Sequence, residues 1–96
     1  MQRILVVLRG PIDIGAVRRR CALDVTGPYE MAVCHVLPAG HDGIRDGLHA
    51  QKEITAALRV VLGGRAENVA VLVASERQGE GVDECAKEWG ATLVYP

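Results

Sequence analysis

Residues 4–8 form an unbroken apolar run, Ile-Leu-Val-Val-Leu, closed by Arg9-Gly10-Pro11. A short run rich in β-branched residues and followed by turn formers predicts a strand buried on both faces. The period then changes. Ile14, Val17 and Cys21 fall three and four apart behind Asp13, which predicts an aspartate-capped amphipathic helix, with Arg18, Arg19 and Arg20 mostly off its apolar stripe. Thr26-Gly27-Pro28 stops that helix, residues 31–37 repeat the strand pattern, and Pro38-Ala39-Gly40 ends it. Ile44, Leu48, Ile54, Leu58, Val61 and Leu62 keep helical spacing behind a capping residue, Asp42, and Gly63-Gly64 ends this second helix. Residues 69–74 predict a third buried strand, and residues 75–81 a polar, glycine-containing connection. Val82, Cys85, Ala86 and Trp89 make a single helical stripe terminated by Gly90, and residues 92–95 predict a last strand.

Strand and helix alternate throughout, which implies right-handed crossovers, parallel pairing and helices on both faces of one sheet of about four strands. Ligands in open sheets of this kind bind beyond the carboxyl ends of the strands, where the winding direction reverses. Residues 9–13, 37–42, 75–81 and 95–96 are therefore where a site is expected.

At 96 residues the chain is expected to be a single domain, residues 1–96, and one this short gains from self-association. The hydrophobic share of 49% and charged share of 24% exclude a disordered chain, and the lack of Phe leaves Val, Leu, Ile and Ala to build the core. A net charge of −1 offers nothing to attract nucleic acid or an anionic membrane. No apolar stretch approaches the roughly 18 residues of a membrane span. The first apolar run is too short for a signal-peptide core, so a cytoplasmic protein is expected. Cys21, Cys34 and Cys85 are odd in number and show no CxxC spacing, which speaks against a disulfide framework, a redox pair or a zinc site. All three are expected to serve as small core hydrophobes.

The stretch Arg3-Ile4-Leu5-Val6-Val7-Leu8, followed after a helix by Ala32-Val33-Cys34-His35-Val36-Leu37-Pro38, resembles the opening of universal stress protein domains. Residues 81–94, GVDECAKEWGATLV, are similar to that family's last full helix and the strand after it. The resemblance spans nearly the whole chain and about the first two thirds of a family domain. It implies a three-layer, Rossmann-like (adenine nucleotide alpha hydrolase-like) fold with strand order 3-2-1-4. Two departures bear on function. Nucleotide-binding members usually carry an Asp just after the first strand, where this chain has Arg9. They also carry a glycine-rich phosphate loop after the fourth strand, then a helix and a fifth strand that often forms the dimer contact, whereas this sequence stops at Pro96. Without that loop the backbone nest that would hold a triphosphate is missing.

The candidate nucleotide-binding residues are Arg9, whose guanidinium suits a phosphate, Gly10, which lets a ligand approach the backbone, Val36 and Leu37, at the strand end that the resemblance implies packs against adenine and that otherwise reads as core, and Ser75. The bland alternative for Arg9 is a solvated turn. His35, His41 and His49 fall in a strand, a loop and a helix at spacings that match no metal motif, and Arg18-Arg19-Arg20 reads as a solvated helix face. No catalytic grouping is expected: Thr26 and Ser75 lack a nucleophile turn, and Asp83 and Glu84, adjacent on a helix, point apart.

The sequence thus reads as a non-catalytic, universal stress protein-like module of stress response or regulation. It is expected to act as a homodimer or with a protein partner, without nucleic acid or membrane and without a cofactor. The last strand, Thr92, Leu93, Val94 and Tyr95, is the expected interface, because an apolar sheet edge tends to be paired or covered. The alternative is an adenine-nucleotide-binding domain holding ATP or AMP through Arg9 and the strand-end loops, and a third reading is a small enzyme of unrecognised type.

Overall fold

The computed structural model of the chain describes residues 1–41, 43–76 and 81–96. Its elements are β1 (Gln2–Leu8), α1 (Ile14–Cys21), β2 (Tyr29–Leu37), α2 (Ile44–Leu62), a 3-10 helix (Gly63–Asn68), β3 (Ala70–Ser75), α3 (Gly81–Trp89) and β4 (Leu93–Tyr95). All four strands run parallel in the order β3-β2-β1-β4, with Leu5 registered against both Ala32 and Val94. The expected α/β fold and strand order are thus observed.

Side chains alternate along each strand and divide the interior in two. On one face Ile4, Val6, Leu8, Met31 and Val33 meet Val17 and Cys21 of α1 and Ile54, Ala57 and Leu58 of α2. On the other, Leu5, Ala32, Cys34 and Ala74 meet Val82, Cys85, Ala86 and Trp89 of α3. The sheet therefore lies between two helices and one.

Local chemistry fixes the element ends. The Asp13 carboxylate accepts the Ala16 N–H at 2.7 Å, as expected of the cap of α1. Gly90 adopts φ +80°, which lets the Ala91 N–H return to the Ala86 carbonyl and close α3 in a left-handed turn. Arg3 then ties β1 and β2 of the sheet to α3. Its guanidinium donates to the Trp89 carbonyl and to Glu30, and lies 4.3 Å over the Trp89 ring.

Several expectations need correction. Gly63 ends α2, but the chain continues at once as a 3-10 helix, which two consecutive glycines permit and which carries no apolar period. Ile44 and Leu48 were expected on the buried stripe of α2, yet they are 86% and 56% exposed. In these first turns the face toward the sheet is that of Gly47, which approaches Val73 and Leu37, and Ile44 and Leu48 lie to the side of it. Ile14 likewise turns outward in the first turn of α1. The third strand is half-buried for most of its length because it lies at a sheet edge. Asp42, the expected cap of α2, lies outside the described residues; Gly43 occupies the cap position, without a side-chain bond. Among the described residues, no helix is long and apolar enough to cross a membrane.

Candidate functional site

The direction of winding reverses between β1 and β4, so the crevice beyond their carboxyl ends is where a ligand is expected. A side chain fills it. Arg20, in the last turn of α1, reaches over the sheet, its Nε 3.1 Å from the Val7 carbonyl oxygen and its Nη2 3.0 Å from that of Tyr95, with Nη2 also meeting the Pro96 carbonyl. The guanidinium therefore caps the end of the β1–β4 ladder and occupies the space a ligand would enter. This corrects the reading of all three arginines as a solvated face: Arg18 and Arg19 are exposed, but Arg20 is half-buried. The signal was present in the spacing, since Arg20 stands three residues after the buried Val17 and so beside its face.

Beside this crevice, Arg9, Gly10, Val36, Pro38 and Glu76 line a cavity of about 240 Å³ at the ends of β1 and β2. Three of the five candidate nucleotide residues therefore converge. Leu37 and Ser75 do not join them. Leu37 points to the opposite face from Val36, and both Leu37 and Ser75 line a separate groove of about 310 Å³ with Gly43, Gly47, Gly81 and Glu84. One carboxylate, Glu76, is part of the wall of the first cavity and opposes an anion there; Asp13 separately holds the amino end of α1, where a phosphate would otherwise find free N–H groups. Residues 77–80 of the expected connecting loop lie outside the described residues.

The histidines stand apart. His35 is buried on the α2 side of β2, where its Nδ1 donates to the Leu8 carbonyl at 3.0 Å. Burial lowers its pKa, against the Leu8 carbonyl and the Glu53 carboxylate, which both raise it. His49 pairs with Glu53 on the surface of α2, and His41 is exposed after β2. No three His, Cys, Asp or Glu side chains among the described residues are grouped to hold a metal ion.

The expected interface resolves into two kinds of residue. Thr92 turns toward β1, exchanging hydrogen bonds with the Arg3 backbone through both Oγ1 and its N–H. Tyr95 packs against the α1/α2 core. Leu93 and Val94, on opposite faces of the strand, are 41% and 37% exposed. An open groove lined by Met1, Gln2, Gly27, Pro28 and Leu93 continues from this edge.

Fold and strand-end arrangement together define the class: an open parallel α/β domain, wound in both directions from β1, with a plugged switch point. Comparison of the chain with family models, curated proteins and solved structures returns no match.

Proposed function

We propose that this protein is a universal stress protein-like, non-catalytic module of the cytoplasm that serves stress response or regulation by pairing with a second copy through β4. The carrying observation is the bare apolar edge at Leu93 and Val94. A second copy fits it because the strand is Leu-Val-Tyr, without a charge. Two-fold pairing about Val94 sets Val94 against its own counterpart and Leu93 against Tyr95, so no like charges meet across the ladder. The sequence resemblance and the strand order support the family reading. The plugged crevice and the carboxylates at Asp13 and Glu76 support the view that nucleotide binding of the usual kind has been lost.

Sedimentation velocity across a wide concentration range tests this reading. A dimer is expected for the natural chain and a folded monomer for Val94→Lys; a strict monomer at high concentration overturns it. The rival reading rests on the cavity shared by Arg9, Gly10 and Val36. It predicts saturable heat on titration with ATP, ADP or AMP, weakened by Arg9→Ala, where our reading expects none.

A further inference from the structure

Cys34 and Cys85, distant in sequence, meet in the α3-side core. Cys34 lies on β2 with no solvent exposure, and Cys85 packs against the same cluster from the centre of the α3 stripe. The Cys85 Sγ lies 3.9 Å from the carbonyl oxygen of Val73, on the strand beside Cys34. Short side chains can touch here because helix and sheet approach closely. Ala32 and Ala74 face α3, and a Cβ added at Gly81 would stand 3.1 Å from the Ser75 carbonyl oxygen and 3.3 Å from the Ala74 Cβ. Cys21 is excluded from the pair, since it is buried on the other side of the sheet, in the α1/α2 core.

We propose that Cys34 and Cys85 form a redox-active dithiol site, which small-molecule disulfides convert into an internal disulfide joining β2 to α3. Cys85, the more exposed of the two, loses its proton and attacks one sulfur of the reagent. The reagent's S–S bond breaks, one thiol departs with a proton, and Cys85 carries the mixed disulfide. Cys34 then gives up its proton and attacks the Cys85 sulfur, and the second reagent thiol leaves. Two protein thiols are oxidised and one disulfide is reduced to two thiols.

The second attack is the demanding one. Burial, followed by the neighbouring Cys85, pushes the Cys34 thiol up to about 12, against a smaller opposing effect of Arg9. The thiolate is the nucleophile, so little of Cys34 is reactive near neutral pH. Proximity offsets this, because well-oriented internal groups reach effective molarities of roughly 10⁵ to 10⁸ M. Bond formation also removes the S–H that faces Val73.

The test uses the full chain incubated with oxidised glutathione, quenched with acid, denatured and alkylated with iodoacetamide. The expected product has lost two hydrogens, retains one alkylatable cysteine, Cys21, and yields a linked Cys34–Cys85 peptide on digestion. Cys34→Ser is expected to stop at a stable glutathione adduct on Cys85. Three alkylatable cysteines after prolonged incubation, a persistent adduct on Cys85 in the natural chain, a link through Cys21 or a link between chains each overturn the proposal. Because the mapping is done on the natural chain, the result does not depend on how well a variant folds.

Discussion

At the β3 margin of the sheet, side chains from both helical layers cover the strand. The Gln51 amide, from α2, donates to the Val71 carbonyl at 3.3 Å, and the Cys85 thiol, from α3, faces the Val73 carbonyl. Carbonyls two residues apart point the same way along a strand, so these two side chains blunt one edge from opposite faces. At the β4 margin, Leu93 and Val94 are exposed, while the strand's ends are tied down, the amino end by Thr92 on Arg3 and the carboxyl end by Arg20. The difference follows from the winding. β3 is entered from α2 and left through α3, on opposite faces, so both helices lie near its edge. β4 is entered from α3, which packs on β3 and β2, and on the other face Tyr95 and the reach of Arg20 join it to the α1/α2 layer. An edge strand in an open α/β sheet is thus protected by the helices that adjoin it in sequence, and where they do not reach, the edge is available to a partner.

The largest effect is expected at the point that holds β4. Arg20→Met keeps the apolar stem but leaves the Val7 and Tyr95 carbonyls without a donor in a half-buried place, which costs about 3 kcal/mol. Urea unfolding measures this. Arg20→Lys should recover only part of the loss, since a single ammonium does not span two carbonyls as the planar guanidinium does. A variant as stable as the natural chain would show that β4 is held by its ladder alone.

The β3 side is probed at Gly81. Its position tolerates little, because the nearest neighbours are backbone atoms of Ser75 and the Ala74 Cβ. Gly81→Val should push α3 from the strand and destabilise the chain by about 2 kcal/mol, while Gly64→Val, in open space, changes little. Gln51→Leu is milder, about 1 kcal/mol, since it removes one hydrogen bond and retains the apolar stem. Its sharper signature is association. If cover at this margin keeps the edge unpaired, Gln51→Leu combined with Cys85→Ala should bring higher-order species into sedimentation profiles, on top of any pairing through β4.

Much of this architecture was legible in the residues. The four apolar runs are long enough for strands and too short for buried helices, three of them stop at glycine or proline and the third at the polar stretch from Ser75, so element type and order followed from the pattern. What the sequence concealed depends on distance across the fold. Ile44 and Leu48 lie one turn apart as Ile54 and Leu58 do, but they stand to the side of the stripe that Ala50, Ile54, Ala57 and Leu58 bury. The candidate site was legible in part. Arg9, Gly10 and Val36 fall together because adjacent parallel strands bring their carboxyl ends into one place, whereas consecutive residues of β2 point to opposite faces, so Leu37 parts from Val36. The meeting of Cys34 and Cys85 carries no local signature, because it is set by how closely α3 settles on the sheet.

Between the two margins, His35 offers an internal reference and the smallest expected effect. Its Nδ1 caps the Leu8 carbonyl, the neighbour of the Val7 carbonyl that Arg20 holds. Burial lowers the folded pKa below the usual value of 6.5, so the unfolded chain binds the proton more readily than the native one. Stability from this group is therefore complete above about 6.5 and is lost as pH falls through that value toward the lower folded pKa. The loss stays small because the Leu8 carbonyl and Glu53 favour the charged ring and offset part of the burial. His35→Asn keeps a donor toward Leu8 and cannot titrate. Comparing the melting temperatures of the two proteins between neutral and mildly acidic pH cancels the contributions of His41, His49 and the carboxylates. The natural chain should lose more on acidification than the variant, and parallel profiles would mean that the buried ring does not set the acid response of the sheet's centre.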